Sequence, residues 1–268
     1  SVKVFARERG IPVYQPENIR QEAPRGIIEG IRPDFIIVVA YGQILPGWLL
    51  QSARLAPLNI HFSLLPRYRG AAPVARAILN GDSTSGVSIM IMQEALDSGP
   101  VLAQRELAIA SSDTTGEVEA KLAEIGAALL IDVMKAYACG SIDPVLQDEA
   151  RVTWAPRISK SEAGISWNDR SVDIHNRIRA MNPRPGAHTL LRGEPLHIWS
   201  SVPVTGGCRS GGAPGTFLGL DQDGMLVLCG DGNILRILEL QKPSKRRVSG
   251  REFASGLRLQ PGDTLFQT

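Results

Sequence analysis

The 268-residue sequence predicts an α/β chain in two parts, a Rossmann-like layer of buried strands and helices followed by a small Greek-key β-barrel. Three observations carry that expectation. Pro33 to Ala40 is a near-continuous β-branched run ending at Tyr41-Gly42, the pattern of a strand buried on both faces of a parallel sheet. Val118, Leu122, Ile125, Leu129 and Val133 recur at three- and four-residue steps, which makes one apolar helical stripe. Beyond residue 187, short β-rich runs alternate with Gly- and Asp-rich turns.

In chain order, Ser1 to Glu8 reads as part of a helix, and Leu58 to His61 as a second buried strand after the run at 33–40. Pro73 to Leu79 is predicted helical, with Pro in its first turn and Asn80-Gly81 closing it. Gly86 to Met92 is the next strand, its Met90 and Met92 assigned to the core, and Val101 to Ile109 an antiparallel edge. A helix follows from Thr115 to Ala138. Residues 142–159, weakly periodic and holding Pro144 and Pro156, read as a linker. Ser171 to Met181 is a short helix stopped by Asn182-Pro183. Strands are then expected at Ala187–Leu191, Pro195–Ser200, Gly215–Leu220, Met225–Cys229 and Ile234–Leu240. The resulting division is 1–141, 142–159 and 160–268. Gly206-Gly207 and Gly211-Gly212 form a loop without the strand-to-helix context of a phosphate-binding fingerprint.

Composition narrows the classes. Hydrophobic residues at 43% suffice for a sizeable core, and no run of about 18 apolar residues suggests a membrane span. Cys139, Cys208 and Cys229 lack paired metal spacing, which points to a reducing compartment and no zinc site. A cytoplasmic monomer is expected. His175, His188 and His197 lie far from one another and from acidic motifs, so no metal cluster is expected. Trp154, Trp167 and Trp199 are assigned to core or domain interface. The net charge of +2 is uneven, with the positive surplus after residue 160. There Lys242, Lys245, Arg246, Arg247 and Arg251 occur with no acid between the first and last. Most short basic runs are solvated loops, but clustered cations also suit a polyanion, through counterion release.

The chemistry is sought where strands end. Asn59 and His61 stand two apart, so in a strand they share a face, and Asp97 follows another apolar run. Singly, the His reads as structural and the Asp as a turn residue. Together, an amide, an imidazole and a carboxylate can handle a proton and an oxyanion at a carbonyl.

Asn59-Ile60-His61, Ser63-Leu64-Leu65-Pro66, Arg69-Gly70-Ala71-Ala72-Pro73 and Leu96-Asp97-Ser98-Gly99-Pro100 resemble the motifs of the folate-dependent formyltransferases. The resemblance extends from Gly10-Ile11-Pro12-Val13 through Ala40-Tyr41-Gly42-Gln43-Ile44-Leu45-Pro46 to Asn182-Pro183-Arg184-Pro185-Gly186, nearly the whole chain. It implies an OB-like carboxyl-terminal domain that binds tRNA, 10-formyltetrahydrofolate as donor, and methionine on initiator tRNA as acceptor. It also implies catalytic roles for Asn59, His61 and Asp97. Ser63, Leu64, Leu65 and Pro66 would line the folate site, and Gly42, Gln43 and Ile44 would form its second wall. Loop packing is the competing reading for both walls. Beside such a site, the five basic residues become candidates for tRNA phosphates, and Arg67 and Arg69 would face the glutamyl tail, a phosphate or solvent.

Two departures stand out. The family usually has Pro where this chain has Phe62, and it carries a strand, a helix, a second strand and a substrate-gripping loop ahead of the region matched by Ser1. A catalytic domain lacking those elements is therefore expected. Relatives with the same triad formylate glycinamide ribonucleotide or an amino sugar, or hydrolyse the formyl donor. A catalytically incompetent RNA-binding fragment is the alternative from another class.

Overall fold

Two sheets organise the chain, which a computed structural model describes at residues 2–43, 45–204, 212–264 and 266–267. The first region contains α1 (Val2–Glu8), α2 (Glu22–Ile31), β1 (Phe35–Val38), α3 (Gly47–Gln51), β2 (Ala56–His61), α4 (Pro73–Leu79), β3 (Thr84–Ile91), β4 (Val101–Ala108) and α5 (Thr115–Ala138). Its sheet runs β1-β2-β3-β4, parallel between β1 and β2 and antiparallel thereafter. The helices α2 and α3 were not anticipated. At five residues α3 is too short to show a periodicity.

The expectation that the run at 33–40 is buried on both faces is corrected. Its strand, β1, lies at one edge of this sheet, and Ile37 and Val39 are 37% and 50% exposed. An apolar run reports that both faces are apolar, whereas burial depends on what stacks against them.

α5 matches its expected bounds and covers one face of the sheet. Thr114 and Glu117 close a capping box at its start, the Glu117 carboxylate accepting from the Thr114 amide at 2.8 Å. Val118, Leu122, Leu129 and Val133 form the buried stripe. Gly126 stands within it where a Cβ would come 2.9 Å from the Ile60 Cγ2, so the missing side chain sets how closely helix and sheet approach. The Phe62 ring packs beside this contact and belongs to the surroundings of the same core. Ile60 and Ile89 are paired in register on the helix side, leaving Asn59, His61, Ser88 and Met90 on the opposite face.

The second region contains α6 (Ser171–Ala180), β5 (His188–Leu191), β6 (Glu194–Val204), β7 (Phe217–Leu220), β8 (Met225–Leu228), β9 (Ile234–Gln241), β10 (Val248–Ser249), α7 (Gly250–Leu257) and β11 (Phe266–Gln267). All five expected strands are present, in an antiparallel sheet of order β11-β5-β6-β9-β8-β7. The edges meet through the last residues: Thr264 bridges Thr216 beside β7, and Phe266 pairs with Leu191 of β5. That closure gives a small barrel around Trp167, Phe217, Leu196, Met225 and Ile237. Trp167 is fully buried, as expected of a core residue, with its indole donating to the Thr189 hydroxyl at 3.0 Å. Trp154, by contrast, is 61% exposed. The segment holding Gly206, Gly207, Cys208 and Gly211 lies outside the described residues. Cys139 and Cys229 are free thiols, and burial pushes Cys229 up to about 12.

The two cores meet at α4 and α6. Arg76 of α4 donates to the Glu162 carboxylate at 2.6 Å and to the Pro156 carbonyl at 3.1 Å, and the Thr115 hydroxyl donates to the Ala180 carbonyl at 2.8 Å. The hydrogen bond from Arg76 holds Glu162 down to about 2. His175 is buried at this junction between the Ser201 hydroxyl at 3.0 Å and the Ser111 carbonyl at 2.9 Å.

Residues 142–159 do more than connect. Val145 exchanges both backbone hydrogen bonds with Val101, while Arg69 donates to Thr153 at 2.9 Å and accepts from Ala155 at 2.7 Å. The segment thus lies as a strap across the loop that follows β2.

Candidate active site

β2 presents Asn59 and His61 on the face away from α5, and the turn after β3 brings up Asp97. The His61 Nδ1 lies 3.7 Å from the Asp97 Oδ2, with the side chains only 6% and 12% exposed. Two residues 36 positions apart in the sequence are therefore brought together, at ion-pair range but beyond a direct hydrogen bond. The Nε2 of His61 lies 2.9 Å from the Tyr68 carbonyl. A carbonyl only accepts, so Nε2 carries a proton and Nδ1 is the edge left for exchange. Asp97 Oδ2 also accepts from the Gly70 amide at 2.9 Å. Asn59 is half-buried, and its side chain makes no hydrogen bond to another described residue. Its amide remains available as a donor.

The Ser63–Pro66 loop is held from beneath by Ser88 and Gln104, neither of which belongs to a sequence motif. Ser88, fully buried, donates to the Ser63 carbonyl at 2.6 Å and accepts from the Leu65 amide at 3.1 Å. Gln104 donates to the Leu65 carbonyl at 2.9 Å. Ser63 spends its hydroxyl on the Arg67 carbonyl at 2.6 Å, Leu65 is buried, and Leu64 packs on Gly86. Ser88 was detectable in principle, because the β2–β3 register pairs it with His61. Met90 is core, as expected. Gly42 and Gln43 lie exposed after β1, and Gly42 has φ +75° with open space around it. Gly42 therefore answers a backbone requirement, not a close contact within the protein. Ile44 lies outside the described residues.

The expectation for Arg69 is corrected. It faces neither a phosphate nor solvent: it is 3% exposed and forks onto Gln147 and Glu149, at 2.9 Å and 2.7 Å from Nη2. That hydrogen bond holds the Glu149 carboxyl below its ordinary range. Arg67 pairs with Asp82 at 2.7 Å. Gln147, Glu149 and Thr153 all lie in a stretch with no periodic signal, so nothing in the sequence flagged them.

The five basic residues gather on the barrel around β9, β10 and the start of α7, by an open groove of about 720 Å³ that Arg246, Arg247 and Arg251 help to line. Folding adds acids that the sequence kept apart. Arg246 pairs with Glu252, Arg247 lies 3.9 Å from Glu239, and Arg251 donates to the Asp221 carbonyl. Lys242 sits 5.8 Å from the Phe253 ring centre. Among the described residues no acid lies within ion-pair reach of Lys242 or Lys245. Arg247 also lies over the half-buried Trp199 ring at 3.9 Å, and Trp199 stacks on His197.

The separation expected of the histidines is corrected in one respect. His188 and His197 pair across β5 and β6, with ring centres 6.1 Å apart. Even so, no group of three metal-ligating side chains occurs among the described residues.

Residues 1–134 match the family model described as formyl transferase, and residues 157–258 the one described as formyl transferase, C-terminal domain. A methionyl-tRNA formyltransferase of Bacillus velezensis is 39% identical over 264 residues, 98% of this chain and 83% of that protein. One from Coxiella burnetii is 42% identical over 267 residues, covering 99% and 84%. Among solved structures, the sugar 3N-formyl transferase WlaRD has a TM-score of 0.68 at 20% identity, covering 92% of this chain and 82% of that one. HypX of Aquifex aeolicus in complex with tetrahydrofolic acid has a TM-score of 0.65 at 17% identity, covering 91% and 44%. At those identities the two structures speak to fold alone.

Proposed function

The chain belongs to the formyl transferase family, and we propose that it moves a formyl group from 10-formyltetrahydrofolate to the α-amino group of methionine esterified to initiator tRNA. The observation that carries this reading is likeness to methionyl-tRNA formyltransferases across both halves of the chain, at about 40% identity. Fold alone does not separate the acceptors, because WlaRD and HypX also match along most of the chain; the difference lies in sequence identity, 39% and 42% for the two tRNA enzymes against 20% and 17% for those structures. The work belongs to the cytoplasm, where translation begins, and no helix among the described residues is long and apolar enough to cross a membrane. We divide the chain into a catalytic part at 1–141, a connecting strap at 142–159 and a tRNA-binding part at 160–268.

Attack of the amine on the formyl carbon produces a tetrahedral intermediate with negative oxygen and positive nitrogen. Both charges need partners at once. A proton on His61 Nδ1, facing the Asp97 carboxylate, supplies one donor to the oxyanion, and the unengaged Asn59 amide supplies a second. Asp97, directly or through water, takes the proton from the attacking nitrogen and returns one to the departing folate nitrogen as its bond to the formyl carbon breaks. The Tyr68 carbonyl fixes the ring so that Nδ1 is the working edge.

In this reading the folate lies between the Ser63–Pro66 loop and the Gly42-Gln43-Ile44 segment. Ser88 and Gln104 already occupy the Ser63 carbonyl and both main-chain polar groups of Leu65, so the loop arrives rigid, with Leu64 and Pro66 left to cover a flat ring. Lys242, Lys245, Arg246, Arg247 and Arg251 serve the tRNA backbone. Labelled formyl donor offered with initiator methionyl-tRNA, an amino sugar nucleotide and glycinamide ribonucleotide tests the assignment. Label is expected on the tRNA, and label on either other acceptor alone would overturn it.

A further inference from the structure

We propose that Gln147, in the strap, is a positioning residue for the Asp97–His61 pair. Its amide group spends both N–H bonds on the turn that presents Asp97, donating to the Asp97 carbonyl at 2.8 Å and the Gly99 carbonyl at 2.7 Å. Its oxygen is fixed in turn by the buried Arg69, whose Nε and Nη2 approach at 3.0 Å and 2.9 Å. An amide with two donors and one acceptor oxygen is thereby fully employed and cannot flip without losing all of these contacts.

The turn it grips needs a grip. Asp97 has φ +49°, a left-handed conformation that a non-glycine residue holds only when its surroundings impose it. Gly99 is pressed against the sheet so closely that a Cβ would fall 1.8 Å from the Ile91 carbonyl oxygen. The same strap holds the loop across from Asp97. Arg69 pairs by its main chain with Thr153 and Ala155. Its neighbours supply the two contacts that orient the pair, the Gly70 amide to the Asp97 carboxylate and the Tyr68 carbonyl to His61. Gln147 thus ties the turn bearing Asp97 to the loop that orients His61, from a stretch of the strap, residues 143–154, that supplies no residue to either packed core. The inference rests on the proposed function for its consequence in turnover, but not for the clamp itself.

Gln147→Glu in the full chain is the test, because it keeps the shape and the acceptor for Arg69 while removing both donors. Expected is a kcat lower by about ten- to a hundredfold, the scale of a reacting group displaced by up to an ångström, with KM for donor and tRNA within about twofold. In an Asp97→Asn background the same change is expected to cost less than about twofold more, since a residue acting through Asp97 has nothing further to lose. Hydrogen exchange at the Gly70 amide and across 97–99 is expected to quicken. Unchanged exchange would overturn the clamp whether or not the parent chain transfers formyl. Unaltered turnover in an active parent, or an undiminished loss in the Asp97→Asn background, would overturn the positioning role. A parent that formylates nothing would sink the proposed function instead, leaving exchange to decide the clamp. If Gln147→Glu is unstable, Gln147→Met removes the same donors without adding charge; because it also removes the acceptor for Arg69, it is read by exchange across 97–99 and by the Asp97→Asn comparison alone.

Discussion

At the scale of single residues, the site is economical: one imidazole, one carboxylate and one amide, each with its remaining polar edges already committed or left open for substrate. His61 is oriented by a carbonyl, Asp97 by an amide, and Asn59 by its place on β2. Asn59→Ala and His61→Ala are each expected to lower kcat by about 10² to 10³. Binding of a non-reactive folate analogue should change little in either, because these groups meet charge that exists only along the reaction. Steady-state kinetics alongside calorimetric titration of the analogue checks this, and a parallel loss of analogue affinity at unchanged kcat would count against the assignment. Phe62, where the family usually has Pro, packs its ring toward Gly126 on the α5 side.

At the scale of elements, the strap and the loop after β2 depend on one residue without a side chain. Gly70 has φ +126°, and a Cβ there would meet the Ala155 carbonyl oxygen at 2.6 Å. Gly70→Ala is therefore expected to destabilise the chain by about 2 kcal/mol or more, from backbone strain and from displacement of the strap. The urea midpoint measures the first effect. Turnover should fall as well, because the Gly70 amide is a partner of Asp97.

The helix α6 carries a second dependence, on pH. Burial, with the neighbouring Arg179 cation, pushes the His175 imidazole below its usual value, so the folded chain favours the neutral ring. Arg179 itself is engaged by the carbonyls of Ala110 and Asp113 and by Asn176, and the Asp113 carboxylate is paired with Lys121. A base with a depressed folded pKa contributes full stability above its unfolded value, about 6.5, and loses it as pH falls toward the folded value. The denaturation midpoint should be flat from pH 8 to about 6.5 and then decline toward pH 5. His175→Gln should lessen that decline, the remainder coming from His197, which burial and the neighbouring His188 also push below the usual value, and a curve of unchanged shape would exclude His175 as a source.

At the scale of the whole molecule, two cores are joined by α4, α6 and the strap, so the candidate catalytic site and the basic surface share one frame. The basic cluster is weaker than its sequence suggests, because Glu239 and Glu252 answer two of its arginines. Among the described residues Lys242 and Lys245 have neither an acid partner nor a side-chain hydrogen bond, whereas Arg251 is engaged by the Asp221 carbonyl, so the two lysines should contribute most to long-range attraction. Lys242→Ala with Lys245→Ala is expected to reduce the slope of log affinity for tRNA against log salt by roughly 2, about one per lost phosphate contact. Arg246→Ala should reduce it by less. Filter binding over a salt series distinguishes these outcomes, and equal slopes in parent and double variant would remove the two lysines from the interface.

Reading along the chain reached the α5 stripe, the five barrel strands, and the Asn59, His61 and Asp97 candidates, because periodicity and strand-end polar residues are local properties of neighbouring side chains. Only the folded chain decided that Ile37 and Val39 are exposed, that Arg69 is buried, that His188 meets His197, and that a passage read as a linker carries Gln147 and Glu149 to the candidate site. The physical reason is the range of the interactions: a hydrogen bond between residues 69 and 147, or 97 and 147, leaves no periodic trace in either segment, since what selects each partner is its position in space.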